Sequence, residues 1–307
     1  MLQLLLGGSG NGKTTLLYQR IRARAEKGEK SILLVPEQFT SSTEGRIYRE
    51  LGDALSGMVE SFSFTSLAEK ILSTEGGAAV QTLSDAGRAV LVRRALEELQ
   101  DNVHYYHRHR RSAAFCQMAA QTIDELKSAG LSGQQLAQLA GACGAESGKL
   151  SELALIFQGY ETLLARSGMD PSDRLELAGA RLEEALARHS LPEFLRDRAV
   201  FIDEFDTFNA PKKRLLGAML AALPSVTVAL CDDGAPLLPG DLSLFSGAKQ
   251  VAAQLRQLAR KNGAEVAVPQ LLRKDLRHRN APGLAAVAEL LETGSCTADA
   301  PAGEVRL

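Results

Sequence analysis

Residues Gly7-Gly8-Ser9-Gly10-Asn11-Gly12-Lys13-Thr14-Thr15 put glycines, hydroxyls and one cation into a single short stretch. Gly7, Gly12, Lys13 and Thr14 have the spacing G-x-x-x-x-G-K-[ST] of a phosphate-binding loop, the Walker A pattern. Each residue type has a physical reason. A chain that wraps closely round phosphate oxygens has no room for Cβ atoms and needs positive φ, which glycine tolerates. Successive backbone N–H groups and the start of the next helix then point at the anion. Lys13 brings a cation to the β- and γ-phosphates, and the Thr14 hydroxyl is a ligand for Mg²⁺. A glycine-rich turn with an incidental lysine is the bland alternative. The expected ligands are therefore ATP, contacted along Gly7 to Thr15, and Mg²⁺.

Such a loop needs a carboxylate at the end of a buried strand on the metal side. Phe201-Ile202-Asp203-Glu204-Phe205-Asp206 offers one. Asp203 is expected to hold Mg²⁺ through water, and Glu204 to orient or deprotonate the attacking water. Lys13 and Glu204 are thus the catalytic pair. Leu230-Cys231-Asp232-Asp233 is the rival, either a sensor strand at the γ-phosphate or merely a turn.

These groups need a scaffold. Residues 2–6 are a nearly unbroken apolar run, and so are 31–35, 225–231 and 199–203 up to its closing carboxylate, which predicts buried strands of a parallel sheet. Residues 13–27 have Leu17, Ile21 and Ala25 four apart, which predicts a helix ended by Gly28. Residues 59–64 and 265–268 are further short strand candidates, and 212–223 and 246–262 further helices. Between 82 and 195 the period becomes helical: Ala89, Val92, Leu96 and Leu99 share one face, as do Leu153, Ile156, Phe157, Tyr160 and Leu164. Breaks fall near Gly130–Gly133, Gly141–Gly148 and Gly168–Pro171. The expected fold is α/β: a P-loop NTPase (RecA-like) parallel sheet with helices on both faces, plus an inserted all-helical subdomain. Residues 1–81 and 196–245 form the ATP-binding domain, 82–195 the helical insertion, and 246–307 the start of a second domain. The alternating tetrad Glu304-Val305-Arg306-Leu307 looks like a strand cut at its start, so a longer protein is expected.

Composition narrows the class further. The 307 residues are 45% hydrophobic and 23% charged with a net charge of -2, an ordinary globular balance with no global pull toward nucleic acid. No apolar run approaches the roughly 18 residues of a membrane span. No basic segment precedes the first apolar run, so no secretory signal is expected and the cytoplasm is the expected location. The four cysteines, Cys116, Cys143, Cys231 and Cys296, are far apart. They are expected to be small apolar fillers rather than metal ligands.

Four motifs in order carry a resemblance. They are the loop GGSGNGKT at the N-terminus, Leu33-Leu34-Val35-Pro36-Glu37-Gln38-Phe39-Thr40, Ser61-Phe62-Ser63-Phe64-Thr65-Ser66-Leu67-Ala68, and Asp203-Glu204-Phe205-Asp206-Thr207. The last is similar to the DEFQDT signature of UvrD-like superfamily 1 helicases with one residue missing. Together they resemble the N-terminal region of the AddB subunit of the bacterial AddAB helicase–nuclease. The resemblance implies a helicase-like module that acts with an AddA-type partner on single strands at broken duplex ends, in recombinational repair. It implies a strand-holding, Chi-scanning arm more than a translocating motor. Gln38, Thr40, Phe64 and Phe208 match its DNA-facing positions. Its nuclease domain, four-cysteine iron–sulfur cluster, second motor domain and arginine fingers are implied only beyond Leu307. By that resemblance, Glu204 stands where many family members have a DGF form, and Ser66 and Glu69 where family members can carry Arg and Trp.

The run His104-Tyr105-Tyr106-His107-Arg108-His109-Arg110-Arg111 suggests phosphate contacts with aromatic stacking. A solvated loop is its bland alternative, and a zinc site lacks a third ligand. Two other function classes stay open: a P-loop small-molecule kinase or phosphotransferase, and an interaction module that nucleotide merely stabilises.

Overall fold

In the computed structural model, which describes residues 1–144 and 147–293, the apolar runs pair as one six-stranded parallel sheet. The strands are β1 (Leu2–Gly7), β2 (Ser31–Leu34), β3 (Val59–Phe62), β4 (Ala199–Ile202), β5 (Ser225–Cys231) and β6 (Gln270–Leu272), in the order β3-β2-β4-β5-β1-β6. Leu2, Leu4, Leu5, Ile32, Leu34, Val200, Ile202 and Val228 are completely buried, as strands covered on both faces must be. The register aligns Leu34 with both Phe62 and Ile202, and Gly7 with both Cys231 and Leu272. The carboxyl ends of the strands therefore form one edge, and that edge carries the phosphate loop, the Val35–Thr40 motif and Asp203.

Helix α1 (Lys13–Ala25) returns the chain from β1 to β2, and α2 (Thr40–Leu51) with the short α3 (Asp53–Ser56) leads to β3. Leu17, Tyr18 and Ile21 of α1 and Ile47 of α2 pack on Leu5, Leu33, Phe201 and Ala229 of the sheet. β3 stops at Phe62, two residues short of the run expected there. The reason is a reciprocal cap: the Ser63 hydroxyl accepts the Ser66 N–H at 3.1 Å and the Ser66 hydroxyl accepts the Ser63 N–H at 2.8 Å, so α4 (Phe64–Glu75) begins at once. After β4 come α10 (Ala210–Ala222) and β5, then α11 (Ser246–Lys261), β6 and α12 (Pro282–Thr293). The strand expected at 265–268 reduces to one bridge, Leu2 to Val266, and β6 forms just beyond it beside β1.

The helical part contains α5 (Asp85–Glu98), α6 (Ala113–Ser128), α7 (Gly133–Ala140), α8 (Ser147–Ser167) and α9 (Pro171–Ala187). Both periodic faces read from sequence lie in one core: Val92 and Leu96 of α5 and Ile156, Phe157, Tyr160 and Leu164 of α8 are buried together, with Ala89, Leu99 and Leu153 packed against them. Inside this part a polar group is fully buried. The Asp170 carboxylate accepts from Tyr160 and from the Lys127 ammonium at 2.6 Å.

The chain thus divides into two compact units. One comprises Met1–Leu67, Ala185–Phe208 and the described chain from Leu216 onward, which takes in α11 and β6; the other comprises Ala68–Glu184 and Asn209–Leu215. Of the cysteines, Cys116 is buried as a filler should be, but Cys143 is exposed and Cys231 half-buried; Cys296 lies outside the described residues. Among the described residues no helix is long and apolar enough to cross a membrane.

Candidate nucleotide site

The loop after β1 has the conformation its glycines predict. Gly10 and Gly12 have φ of 86° and 82°, in the left-handed region. Gly7 has a different reason to be glycine: a Cβ there would stand 2.8 Å from the Leu272 carbonyl oxygen of β6. The Asn11 amide donates to that same carbonyl at 2.8 Å and fastens the loop to the sheet edge. The Lys13 ammonium folds back on the loop and donates to the carbonyls of Gly7 and Gly8, both at 2.8 Å.

Asp203 follows the last residue of β4, and its N–H continues the ladder to the Leu34 carbonyl at 3.1 Å. It is only 6% exposed. Burial pushes its carboxyl above the usual carboxylate range; the Thr14 hydroxyl bonded to it, the Glu204 N–H at 3.0 Å and the charges of Lys13 and Arg46 pull the other way without cancelling that rise. Glu204 sits at φ 64°, a backbone conformation that a β-carbon resists. Its carboxyl is also raised, first by burial and then by the adjacent Asp203 charge.

Lys13, Thr14, Thr15, Asp203 and Glu204 all line one cleft of about 490 Å³ in the sheet unit, together with Ser9, Gly10 and Gly12. The structure thus brings together the loop and the acidic strand end named from sequence. Thr14 and Asp203 are the pair that could hold a divalent cation. Among the described residues no three His, Cys, Asp or Glu groups cluster as a metal set, so such a cation needs further oxygens from phosphate and water. The glycine cradle and the two oxygen donors at its rim fit that requirement.

Two arginines in the cleft escaped sequence reasoning. Arg46, on α2, faces Asp203 and Glu204 and rests its guanidinium 4.8 Å from the Tyr18 ring centroid. Burial pushes the Tyr18 phenol up to about 12, although Arg46 opposes this. Arg277 arrives from the segment after β6 and donates to the Ser9 hydroxyl at 2.9 Å. Next to it the Leu276 N–H donates to the Gly10 carbonyl at 3.0 Å. Neither position belongs to a local motif; the only available signal was the basic run Arg273-Lys274-Asp275-Leu276-Arg277-His278-Arg279.

The remaining named residues lie apart from the cleft lining. Gln38 is exposed on a single 3₁₀ turn, Glu37–Phe39, beyond β2, and the Thr40 hydroxyl donates to the Glu37 carbonyl at 2.8 Å. Phe64 and Phe208 are buried, at 3% and 4% exposure. Their rings meet edge to face at 6.1 Å, with Phe205 against both. Asp232 turns away from the cleft: it accepts the Gly234 N–H at 2.7 Å and closes a turn, while Asp233 pairs with Lys249 at 3.3 Å. The turn alternative describes this pair.

A parallel sheet whose first strand feeds a glycine loop and then a helix, with a carboxylate ending a neighbouring strand, defines a RecA-like P-loop protein. Comparison with known proteins narrows the class. The family described as "ADDB, N-terminal" matches residues 4–288, and the chain belongs to that family. It is 34% identical over 296 residues to the B subunit of the ATP-dependent helicase/deoxyribonuclease of Desulforudis audaxviator, covering 92% of this chain and 25% of the relative. The protein of the same name from Moorella thermoacetica is 32% identical over 299 residues, with 92% and 25% covered. That from Clostridium perfringens is 29% identical over 283 residues, with 91% and 24% covered. The chain spans about a quarter of the length of the curated relatives it matches.

Proposed function

We propose that this chain is the ATP- and DNA-binding N-terminal module of a cytoplasmic helicase–nuclease subunit, acting with an AddA-type partner on single strands at broken duplex ends, in recombinational repair and Chi-type strand scanning. The relatives' name, which makes them one subunit of an ATP-dependent helicase/deoxyribonuclease, supports the assignment to such an assembly. The observation that carries the ATP half is the meeting of Lys13, Thr14 and Asp203 around one cleft from distant parts of the chain. In this reading Lys13 leaves the Gly7 and Gly8 carbonyls to contact the β- and γ-phosphates. Thr14 and, through water, Asp203 would hold Mg²⁺, which would supply neutralisation of the charge on the phosphate oxygens. Glu204 orients or deprotonates the attacking water, a role its raised carboxyl suits because a base works best when its pKa approaches the working pH. Gln38 and Thr40, at the same strand-end edge, contact the DNA.

Isothermal calorimetry with ATP and Mg²⁺ tests the reading. Wild type should release heat with a saturable isotherm, and Lys13→Ala should weaken binding by at least about tenfold, the effect of one lost charge-assisted contact. Absence of heat with wild type would refute the nucleotide half.

A further inference from the structure

The basic run between α5 and α6 is a chemistry-bearing feature that the nucleotide cleft leaves unused. Its backbone is pinned. The Glu152 carboxylate on α8 accepts the N–H groups of His104 at 2.9 Å, Tyr105 at 2.8 Å and Tyr106 at 3.1 Å. Burial raises the Glu152 carboxyl, but those three N–H groups outweigh it and the net shift is downward, so the anchor stays charged. The chain's own carboxylate therefore fills the backbone anion nest, and external anions are left to the side chains. Further along, Tyr106 stacks on Phe115 at 5.4 Å and His109 lies on the same ring at 5.5 Å. Arg110 folds onto His107. The run is a fixed ledge rather than a loose loop.

What the ledge presents is cationic and aromatic. Arg108 and Arg111 are exposed, and among the described residues no ion pair reaches either. Tyr105 is 55% exposed, and the Lys149 ammonium lies 5.1 Å from its ring centroid. The run itself holds no acidic residue, on a chain whose net charge is -2. Guanidiniums without partners attract phosphates, and an exposed ring in the same short run, three residues before Arg108, offers a stacking face for a base. An acidic protein would use the charges but would not need the ring; a duplex would hide its bases from it. We infer that Tyr105, Arg108 and Arg111 form a landing site for single-stranded nucleic acid on the helical unit. The inference rests on the DNA-handling reading and extends it to a second surface.

Fluorescence anisotropy with labelled oligo(dT) and a duplex of equal length tests it, across a salt titration on the whole chain. Arg108→Ala with Arg111→Ala should weaken single-strand binding and lower the slope of log affinity against log salt by about 1.4, two phosphate contacts at roughly 0.7 each. Lysine at both positions should restore the slope. Tyr105→Ala should weaken single-strand binding about tenfold, leave the slope alone and spare the duplex. Melting curves and ATP calorimetry should stay at wild-type values. If wild type binds single strands and Gln38→Ala weakens them while the ledge variants do not, the ledge proposal is overturned and the DNA reading survives. If wild type binds no DNA, both fall. Loss of a partner protein with DNA binding intact would reassign the ledge to an acidic protein and overturn the proposal.

Discussion

Arg277 donates to the Ser9 hydroxyl at 2.9 Å, which ties the segment after β6 to the phosphate loop. The tie is close-fitting. A Cβ on Gly10 would stand 2.8 Å from the Arg277 Cβ, and one on Gly12 would stand 2.8 Å from a Leu276 methyl. The cleft is therefore made of separated pieces, among them the loop, Arg46 of α2, the β4 end and this strap, and each of these brings its own charge.

The strap arginine should matter for nucleotide and little for folding. Arg277 lines the cleft beside Lys13, so its guanidinium is a second cation available to phosphate. Arg277→Ala is expected to weaken ATP binding about tenfold, in line with loss of one charged hydrogen bond, with the melting temperature within about 1–2 °C of wild type. Parallel calorimetry and thermal melts read both; unchanged affinity would remove Arg277 from the site.

Asp203 sets function against stability. Its carboxyl is raised because burial penalises the charge more than Thr14, Lys13 and Arg46 reward it. A carboxyl raised above its unfolded value contributes stability below the unfolded value, and that contribution is lost as pH rises through the folded one. The ligand-free chain should thus gain stability from Asp203 on acidification, while Mg²⁺-dependent ATP affinity should rise with pH through the same window because the cation needs the ionised form. Asp203→Asn removes the buried charge. Its melting temperature at neutral pH should equal or exceed that of wild type, and Mg²⁺ should no longer improve ATP binding. A variant that melts well below wild type at neutral pH would contradict the burial argument.

Glu204 carries backbone strain at the same spot. Left-handed φ costs a residue with a β-carbon about 1–2 kcal/mol, and glycine avoids that cost. Glu204→Gly should therefore stabilise the chain by about 1 kcal/mol, some 2–4 °C for a domain of this scale, and abolish any ATP turnover while sparing ATP binding. Turnover at the wild-type rate would show that Glu204 handles no water.

Local patterns carried much of this architecture because local physics determined it. The runs Leu2–Leu6, Ser31–Val35, Ala199–Ile202 and Ser225–Cys231 are apolar since both faces of their strands are covered. The periodic faces of α5 and α8 are apolar since they meet in one core. What escaped depends on distant partners. β6 is three half-buried residues whose identity as a strand comes from pairing with β1. Arg46 and Arg277 reach the cleft through folding, with no motif around them. The left-handed backbone at Glu204 has no signature in a glutamate.

The Phe64 ring separates a DNA contact from a structural support. It is 3% exposed and wedged against Phe205 and Phe208, whereas Gln38 stands in solvent on the neighbouring strand end. A buried ring cannot stack on a base without leaving its cluster, and truncating a buried phenylalanine costs about 3–5 kcal/mol. Phe64→Ala should therefore lower the melting temperature strongly and lose DNA binding only along with folding. Phe64→Leu keeps most of the volume, so it should bind single-stranded DNA nearly as wild type does. Gln38→Ala should show the opposite pattern, a wild-type melt with single-strand affinity weakened several-fold. Anisotropy and thermal melts on the three variants decide the matter. A stable Phe64→Leu protein that has lost DNA would mean the ring leaves the cluster to meet the strand.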